Sequence, residues 1–224
     1  MDIPKVLLPV MFHRWTTISF LHWPVPAERF RVPHGLEVET FDGTAWLGVT
    51  PFVTTIRPGL ARFPETNVRT YVRDAQGRRG VWFLSLEAGM LSAVLGGRAG
   101  YWLPYRWAEM SARLDGDRMS YRSLRRWPGR PGARCDADVE IGSALGDKDA
   151  LATFLTERYR LYTEVAGVLA CADVEHRPWP LHQARVVSLR QDLAEGLSDD
   201  PPVVHFSPGV AVRVGMWRPI RRAA

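Results

Sequence analysis

The sequence predicts an α+β fold that is mainly β, with a largely antiparallel sheet curled around a core. Apolar and polar residues alternate along many segments: in residues 134–141, Cys135, Ala137, Val139 and Ile141 occupy one face and charged residues occupy the other. This period of two is typical of a half-buried strand. Short turn sequences separate the alternating segments, and helical periodicity is rare. Strands connected by hairpin turns form antiparallel sheets.

The alternating segments define the predicted strands. They cover residues 15–21, 45–56, 67–73, 81–87, 119–127, 134–141, 184–189 and 210–217. Turn-forming residues separate several of them, as in the Asp-Ala-Gln-Gly sequence at 74–77 and the Leu-Asp-Gly-Asp sequence at 114–117. Turns of this length predict that the flanking strands pair as hairpins.

Helices are predicted at few positions. Apolar residues at helical spacing indicate that the longest helix covers residues 149–165, with Asp147 or Asp149 capping its start. A shorter helix is predicted at 91–95, and single turns are predicted at 26–31 and 191–195.

The composition is that of a soluble globular protein with one domain over residues 1–224: 46% of the residues are hydrophobic and 24% are charged. No apolar stretch approaches the roughly 20 residues of a membrane-spanning helix. The first residues lack a basic segment followed by an apolar one, which predicts a cytoplasmic protein without a membrane partner. Assembly into a homo-oligomer stays open.

The net charge of +5 raises the question of nucleic-acid binding. Only two of the 29 basic residues are lysines, Lys5 and Lys148, so 27 are arginines. This imbalance is typical of GC-rich coding rather than of a selected basic surface, and the arginine-rich stretch at 122–134 carries no RNA-recognition or helix-turn-helix signature. The sequence therefore predicts no nucleic-acid partner.

No cofactor or metal is predicted from the sequence. Cys135 and Cys171 lie 36 positions apart without a neighbouring Cys or His at zinc spacing, and the six histidines form no ligand pattern. The glycine pairs occur outside the strand-to-helix setting that a phosphate-binding loop requires.

Several segments together resemble a known family. They are 20–26 (FLHWPVP), 40–52 (TFDGTAWLGVTPF), 63–73 (FPETNVRTYVR), 80–87 (GVWFLSLE) and 103–105 (LPY). In this order and spacing the chain, from about residue 13 to residue 217, resembles the YqjF-like family of the acetoacetate-decarboxylase-like superfamily. The resemblance implies a closed, cone-like antiparallel β-barrel with a few flanking helices and an interior cavity for a small molecule.

The resemblance does not carry over the decarboxylase reaction. Acetoacetate decarboxylases use a lysine that forms a Schiff base with the substrate, next to a second lysine in a Tyr-Pro-Lys-Lys segment. The similar region here, residues 85–87 and 100–105, holds no lysine, and neither does any position from 6 to 147. Arginine stays protonated and cannot replace the amine nucleophile. A Schiff-base mechanism is therefore not expected.

The segment 65–73 carries the candidate catalytic residues Glu65 and Arg69. If it is extended, Glu65, Asn67, Arg69 and Tyr71 share one face. Backbones four residues apart in a strand are about 13 Å apart, so Glu65 and Arg69 could hold opposite ends of a ligand. The resemblance implies that Glu65 matches a superfamily glutamate of the ligand cavity, and burial would raise its pKa toward that of a general acid or base. The alternative for Glu65 is a turn carboxylate after Pro64.

The turn at 74–77 predicts that Ser85 and Glu87 return opposite Arg69 and Asn67, which makes Glu87 the expected partner of Arg69. Such a pair could brace the hairpin, or it could fix the guanidinium for bidentate recognition of a carboxylate or enolate oxygen.

Four further residues are substrate-binding candidates. Tyr71, Tyr101 and Tyr105 could donate hydrogen bonds to a carbonyl group, with a place in the barrel wall as the alternative. His22 lies in a His-Trp-Pro sequence, for which a structural turn is the alternative.

The sequence favours a small-molecule enzyme that performs acid–base chemistry next to a carbonyl group without an imine. Dehydration, cyclisation by conjugate addition and decarboxylation without a Schiff base are the candidate reactions, and secondary metabolism is a compatible setting. A lyase or cyclase is thus expected. The alternative is a non-catalytic protein that binds a small molecule in the same cavity.

Overall fold

The computed structural model describes residues 3–198 and 200–220 and is mostly β. The strands are β1 (Pro9–Val25), β2 (Leu36–Val38), β3 (Ala45–Ile56), β4 (Ala61–Asp74), β5 (Arg79–Ala88), β6 (Tyr105–Asp115), β7 (Arg118–Trp127), β8 (Arg134–Ala144), β9 (Arg160–Val165), β10 (Val168–Glu175), β11 (His182–Gln191), β12 (Val203–Gly215) and β13 (Arg218–Pro219). The helices are α1 (Arg57–Leu60), α2 (Leu91–Tyr101) and α3 (Ala150–Thr156), and Ala27–Arg29 forms a 3-10 turn.

Strand pairing closes two rings that share five strands. Within the described residues, β5, β6, β7, β8, β11, β12, β1, β3 and β4 pair in that order and return to β5, forming the larger ring. On the other side of the shared strands, β9 pairs with β5 and β10 pairs with β12, which closes the smaller ring of β1, β3, β4, β5, β9, β10 and β12. The pairs β5–β6 and β5–β9 are parallel, and the remaining pairs are antiparallel.

The shared strands present one face to each ring. Because side chains alternate along a strand, Val68 of β4 packs in a cluster with Cys135 of β8, inside the larger ring. Phe52 of β3 packs with Val174 of β10, inside the smaller ring. Alternation along β4 thus decides which side chains enter which interior.

The predicted fold class is confirmed, and each predicted strand lies within or largely within an observed one. The alternation that predicted the strand at 134–141 corresponds to β8, where Cys135, Ala137 and Val139 are buried. Strands β2, β6, β9, β10 and β13 were not predicted from the sequence.

The prediction of one long helix at 149–165 is wrong. Asp149 does cap a helix, accepting a hydrogen bond from the backbone N–H of Ala152 at 2.6 Å, but α3 ends at Thr156. Residues 160–165 form β9, which pairs with β10 across a tight turn whose residues, Ala166 and Gly167, both have positive φ. Such a turn matches the twist of an antiparallel pair, and the β-branched and aromatic residues of this segment favour a strand.

The longest described helix is instead α2, which continues six residues beyond the predicted 91–95 helix. No helix in residues 3–198 and 200–220 is both long and apolar enough to cross a membrane.

Candidate functional site

The smaller ring encloses a cavity of about 70 Å³. Its wall is mostly apolar and aromatic: the indoles of Trp15 and Trp179 stack with ring centres 6.4 Å apart, and Phe52 meets Trp15 edge-on. The polar and titratable side chains of the wall are those of His13, Glu65, Asn67, Arg69, Tyr105, Thr156, Arg158 and His176. A small apolar space with a few converging polar groups is the usual form of a ligand site.

A larger open basin, of about 1240 Å³, adjoins this cavity. His13 and His176 line both spaces. Burial lowers the pKa of His13 to about 4 and also lowers the pKa of His176. The two imidazoles are therefore mainly neutral at pH 7, and they lie where basin and cavity adjoin.

Glu65 lies in β4, opposite Phe52, with its side chain in the cavity wall. The residue is 5% exposed, and burial raises the pKa of its carboxyl group to about 7. The hydroxyl groups of Thr54 and Tyr105 oppose this rise because they favour the ionised form. A carboxyl group that titrates near neutrality can both donate and accept a proton at physiological pH.

Tyr105 begins β6 and donates a hydrogen bond from its hydroxyl to Oε2 of Glu65 at 3.4 Å. Its ring lies on Gly97 of α2, where an added Cβ would come within 2.6 Å of Cε2. Burial and the neighbouring Glu65 raise the pKa of Tyr105 well above its usual value, so the phenol stays protonated and available as a donor.

Arg69 occupies the next part of the wall on β4, two residues beyond Asn67. Its guanidinium carbon lies 5.5 Å from the centre of the Phe20 ring and 5.8 Å from that of Tyr71. Its Nε and Nη2 atoms are buried and have no hydrogen-bond partner among the described residues. The alternation predicted from the sequence therefore places Glu65, Asn67 and Arg69 along one strip of the cavity wall.

The predicted pair of Arg69 and Glu87 is wrong. Arg69 lies opposite Phe83, whereas Val68 lies opposite Ser85, so Leu84 is an extra residue that bulges out of β5. The bulge shifts the register and turns Glu87, which lies opposite Thr66, to the other face of the sheet.

Glu87 instead forms a buried ion pair inside the larger ring. Arg125 of β7 donates to it from Nε at 3.0 Å and from Nη2 at 2.5 Å, the two-pronged geometry of a strong arginine–carboxylate pair. Glu87 is not among the residues that line the cavity, and its geometry is that of a structural pair.

Three other candidates also lie outside the cavity wall. The hydroxyl of Tyr71 donates to the carbonyl oxygen of Leu155 at 2.6 Å and lies 2.5 Å from Nε2 of His22, which must therefore carry the proton of that contact. Both side chains are fully buried, so they support the wall from behind. Tyr101, at the end of α2, packs on Trp217 with ring centres 6.1 Å apart.

Arg158 is a cavity residue that the sequence did not predict. It follows α3 and directs a guanidinium that is almost fully buried into the wall, where its carbon lies 4.7 Å from the centre of the Tyr71 ring. The sequence placed this residue inside the predicted helix at 149–165 and gave it no functional role. Only the apolar Phe154 and Leu155 just before it could have suggested an inward direction.

Neither lysine is among the residues that line the cavity. Lys5 is exposed, and Lys148 forms an ion pair with Glu157, which also accepts hydrogen bonds from the hydroxyl of Tyr159 and the backbone N–H of Trp179. In the part of the chain that the structure describes, no three His, Cys, Asp or Glu side chains are grouped as metal ligands.

The fold is similar to those of solved acetoacetate-decarboxylase-like structures. The chain superposes on acetoacetate decarboxylase from Legionella pneumophila with a TM-score of 0.65 at 13% identity, covering 99% of this chain and 92% of that one. It superposes on the enduracididine biosynthesis enzyme MppR complexed with pyruvate with a TM-score of 0.63 at 16% identity, covering 95% and 91%. At these identities the likeness shows a common fold.

Sequence comparison defines the family. The family described as an uncharacterized conserved protein, DUF2071, matches residues 13–211. YqjF of Bacillus subtilis (strain 168) is 34% identical over an alignment of 212 residues that covers 88% of this chain and 87% of that protein. The chain therefore belongs to the DUF2071 family, which confirms the predicted YqjF-like membership.

Proposed function

We propose that this protein is a small-molecule enzyme that performs acid–base chemistry next to a carbonyl group, with Glu65 as the acid or base. The observation that carries the proposal is the state of Glu65: a carboxyl group in an apolar cavity, with a pKa near 7 and a phenol donor at its side. General acid–base groups are most effective when their pKa lies near the working pH.

The other polar groups of the cavity supply orientation. Tyr105 can donate to an oxygen that gains negative charge, and Arg69 can hold a carboxylate or enolate oxygen at the far end of the strip. Dehydration, cyclisation by conjugate addition and decarboxylation without a Schiff base all need a hydrogen-bond donor or a cation next to a carbonyl. One solved MppR structure contains the condensation product of pyruvate and imidazole 4-carboxaldehyde, which supports chemistry beside a keto group in this fold.

The chemistry proceeds without an imine in this proposal. Its support is the position of the two lysines, one exposed and one ion-paired to Glu157, both outside the cavity wall. The carbon acid next to the carbonyl would lose its proton to the Glu65 carboxylate, and the resulting enolate oxygen would accept hydrogen bonds from neighbouring donors.

Proton exchange on pyruvate tests this proposal without knowledge of the natural substrate. The protein in D₂O should replace the methyl protons of pyruvate with deuterium, a reaction that proton NMR follows directly. Glu65→Gln keeps the side-chain shape and removes the ionisable group, so exchange should slow by about 100-fold or more. Glu195→Gln is the matched control because that carboxylate is 82% exposed on its side chain. Equal exchange rates for the protein and Glu65→Gln would refute the assignment.

A binding protein without catalysis is the second candidate, and the compactness of the cavity favours it. About 70 Å³ of space behind stacked indoles suits retention of one small ligand. In that case pyruvate or a similar acid should bind saturably to the protein, with no deuterium exchange above that of the buffer.

A further inference from the structure

Two arginines approach the same aromatic ring at one end of the cavity. The guanidinium carbons of Arg69 and Arg158 lie 5.8 Å and 4.7 Å from the centre of the Tyr71 ring. The Tyr71 hydroxyl is held by the carbonyl oxygen of Leu155 and by His22, so the ring is a fixed platform for both cations. Contacts of this kind between a guanidinium and an aromatic face orient the cation.

The same edge of each guanidinium lacks a partner. In both arginines the Nε and Nη2 atoms are buried and make no hydrogen bond with any described residue. These two atoms form the fork that binds the two oxygens of a carboxylate side by side. A buried donor without an acceptor is unfavourable, and more so when it is charged. Four such donors on two residues of the cavity wall therefore indicate an acceptor that the protein itself does not supply.

The remaining donor of Arg158 explains how the guanidinium is held. Its Nη1 atom donates to Oε2 of Glu39 at 2.6 Å, and Glu39 also pairs with Arg79. One carboxylate thus faces two guanidinium groups here, and Arg69 has no ion-pair partner among the described residues. This end of the cavity carries an excess of positive charge, which favours an anion.

We infer that Arg158 and Arg69 together form a carboxylate-binding site. Glu39 holds the Arg158 guanidinium in place. One consequence depends on the proposed function: the substrate of the Glu65 site is then a carboxylic acid. Glu65 and Arg69 are four strand residues apart, so the carboxylate would be held at one end while the reacting carbon lies toward Glu65. A keto acid with its carbonyl beside its carboxylate satisfies both ends.

Acetate and its neutral isostere acetamide test the site separately from any reaction. In the protein at constant ionic strength, acetate should shift the Nε–Hε NMR signals of Arg69 and Arg158 saturably, and acetamide should leave them unchanged. The signals are assigned by their loss in Arg69→Lys and Arg158→Lys. Lysine keeps the charge but not the planar fork, so Arg158→Lys should weaken acetate binding about tenfold or more. Arg185→Lys, on an exposed strand surface, should bind acetate normally.

The outcomes separate this inference from the proposed reaction. Glu65→Gln should slow pyruvate exchange by about 100-fold or more and still bind acetate. Slowed exchange with retained acetate binding therefore supports the anion site independently of the reaction. Equal effects of acetate and acetamide, or wild-type acetate affinity in both arginine variants, would show that water fills the fork and would overturn the inference. Saturable shifts of arginine Nε–Hε signals by acetate, without shifts by acetamide, are measured on the unmodified protein, so this comparison does not depend on the variants folding; the variants serve to assign the signals.

Discussion

The ring of Tyr105 packs directly on Gly97, with no space for a side chain between them. This contact fixes the phenol whose hydroxyl reaches Glu65, because α2 and the start of β6 can approach each other this closely only at a glycine. A glycine inside a helix is ordinarily unfavourable by about 1 kcal/mol relative to alanine. At residue 97 the glycine is nevertheless required, because it allows the ring of Tyr105, a hydrogen-bond donor of the cavity, to pack against the helix.

Gly97→Ala should therefore displace Tyr105 from Glu65. Loss of the phenol donor removes a contact that favours ionised Glu65, so the pKa of this carboxyl group should rise above about 7 and pyruvate exchange should slow. Gly96→Ala is the matched control because Gly96 is the preceding residue of the same helix and no atom lies within 4 Å of a Cβ added there. It should leave exchange unchanged and stabilise the helix slightly. The pH profile of exchange measures both effects, and identical profiles for the two variants would contradict the prediction.

Burial of Glu65 predicts a pH-dependent cost to folding. Its pKa rises from 4.5 to about 7 on folding, so between these values the folded protein binds more protons than the unfolded chain. The free energy of unfolding should then fall as pH rises through this window, by roughly 3 kcal/mol in total at about 1.4 kcal/mol per pKa unit. Glu65→Gln lacks this titration. Urea unfolding of both proteins at pH 5 and pH 8 should show the wild type losing stability relative to the variant, and parallel behaviour would argue against a buried carboxyl.

Glu87 should matter for stability and not for ligand binding. Glu87→Gln leaves Arg125 buried without a counter-charge, and breaking a buried pair costs about 3–5 kcal/mol. The double variant Glu87→Gln/Arg125→Met should recover part of this loss, since it removes both charges. The exposed pair of Arg185 and Glu140 is the control, for which the Arg185→Met variant should lose less than about 1 kcal/mol. Urea unfolding provides the free energies; weakened acetate binding by a folded Glu87→Gln variant would place Glu87 in the site after all.

The sequence predicted the strip of Glu65, Asn67 and Arg69 because side-chain alternation is a local property of an extended chain. It failed for Glu87 because a single extra residue, Leu84, changes the side of the sheet on which every later residue of β5 lies. Leucine is an ordinary strand residue, so Leu84 does not predict a bulge. Arg158 was missed for a different reason: an arginine inside a predicted helix carries no local sign of burial, and its place in the cavity wall follows from tertiary structure beyond α3, which ends at Thr156.

The absence of a lysine from the cavity wall predicts that no imine forms with a ketone. Borohydride added to the protein with pyruvate should trap no covalent adduct, because Lys148 forms an ion pair with Glu157, Lys5 is exposed, and neither lysine lines the cavity. Intact mass spectrometry detects the expected mass increase if an adduct forms, and an acetoacetate decarboxylase with its Schiff-base lysine serves as the positive control. Lys148→Met should retain pyruvate exchange, since the lysine contributes to packing around Glu157 and not to the reaction. A trapped adduct on the wild type that disappears in Lys148→Met would show that this lysine reaches the substrate and that the chemistry proceeds through an imine.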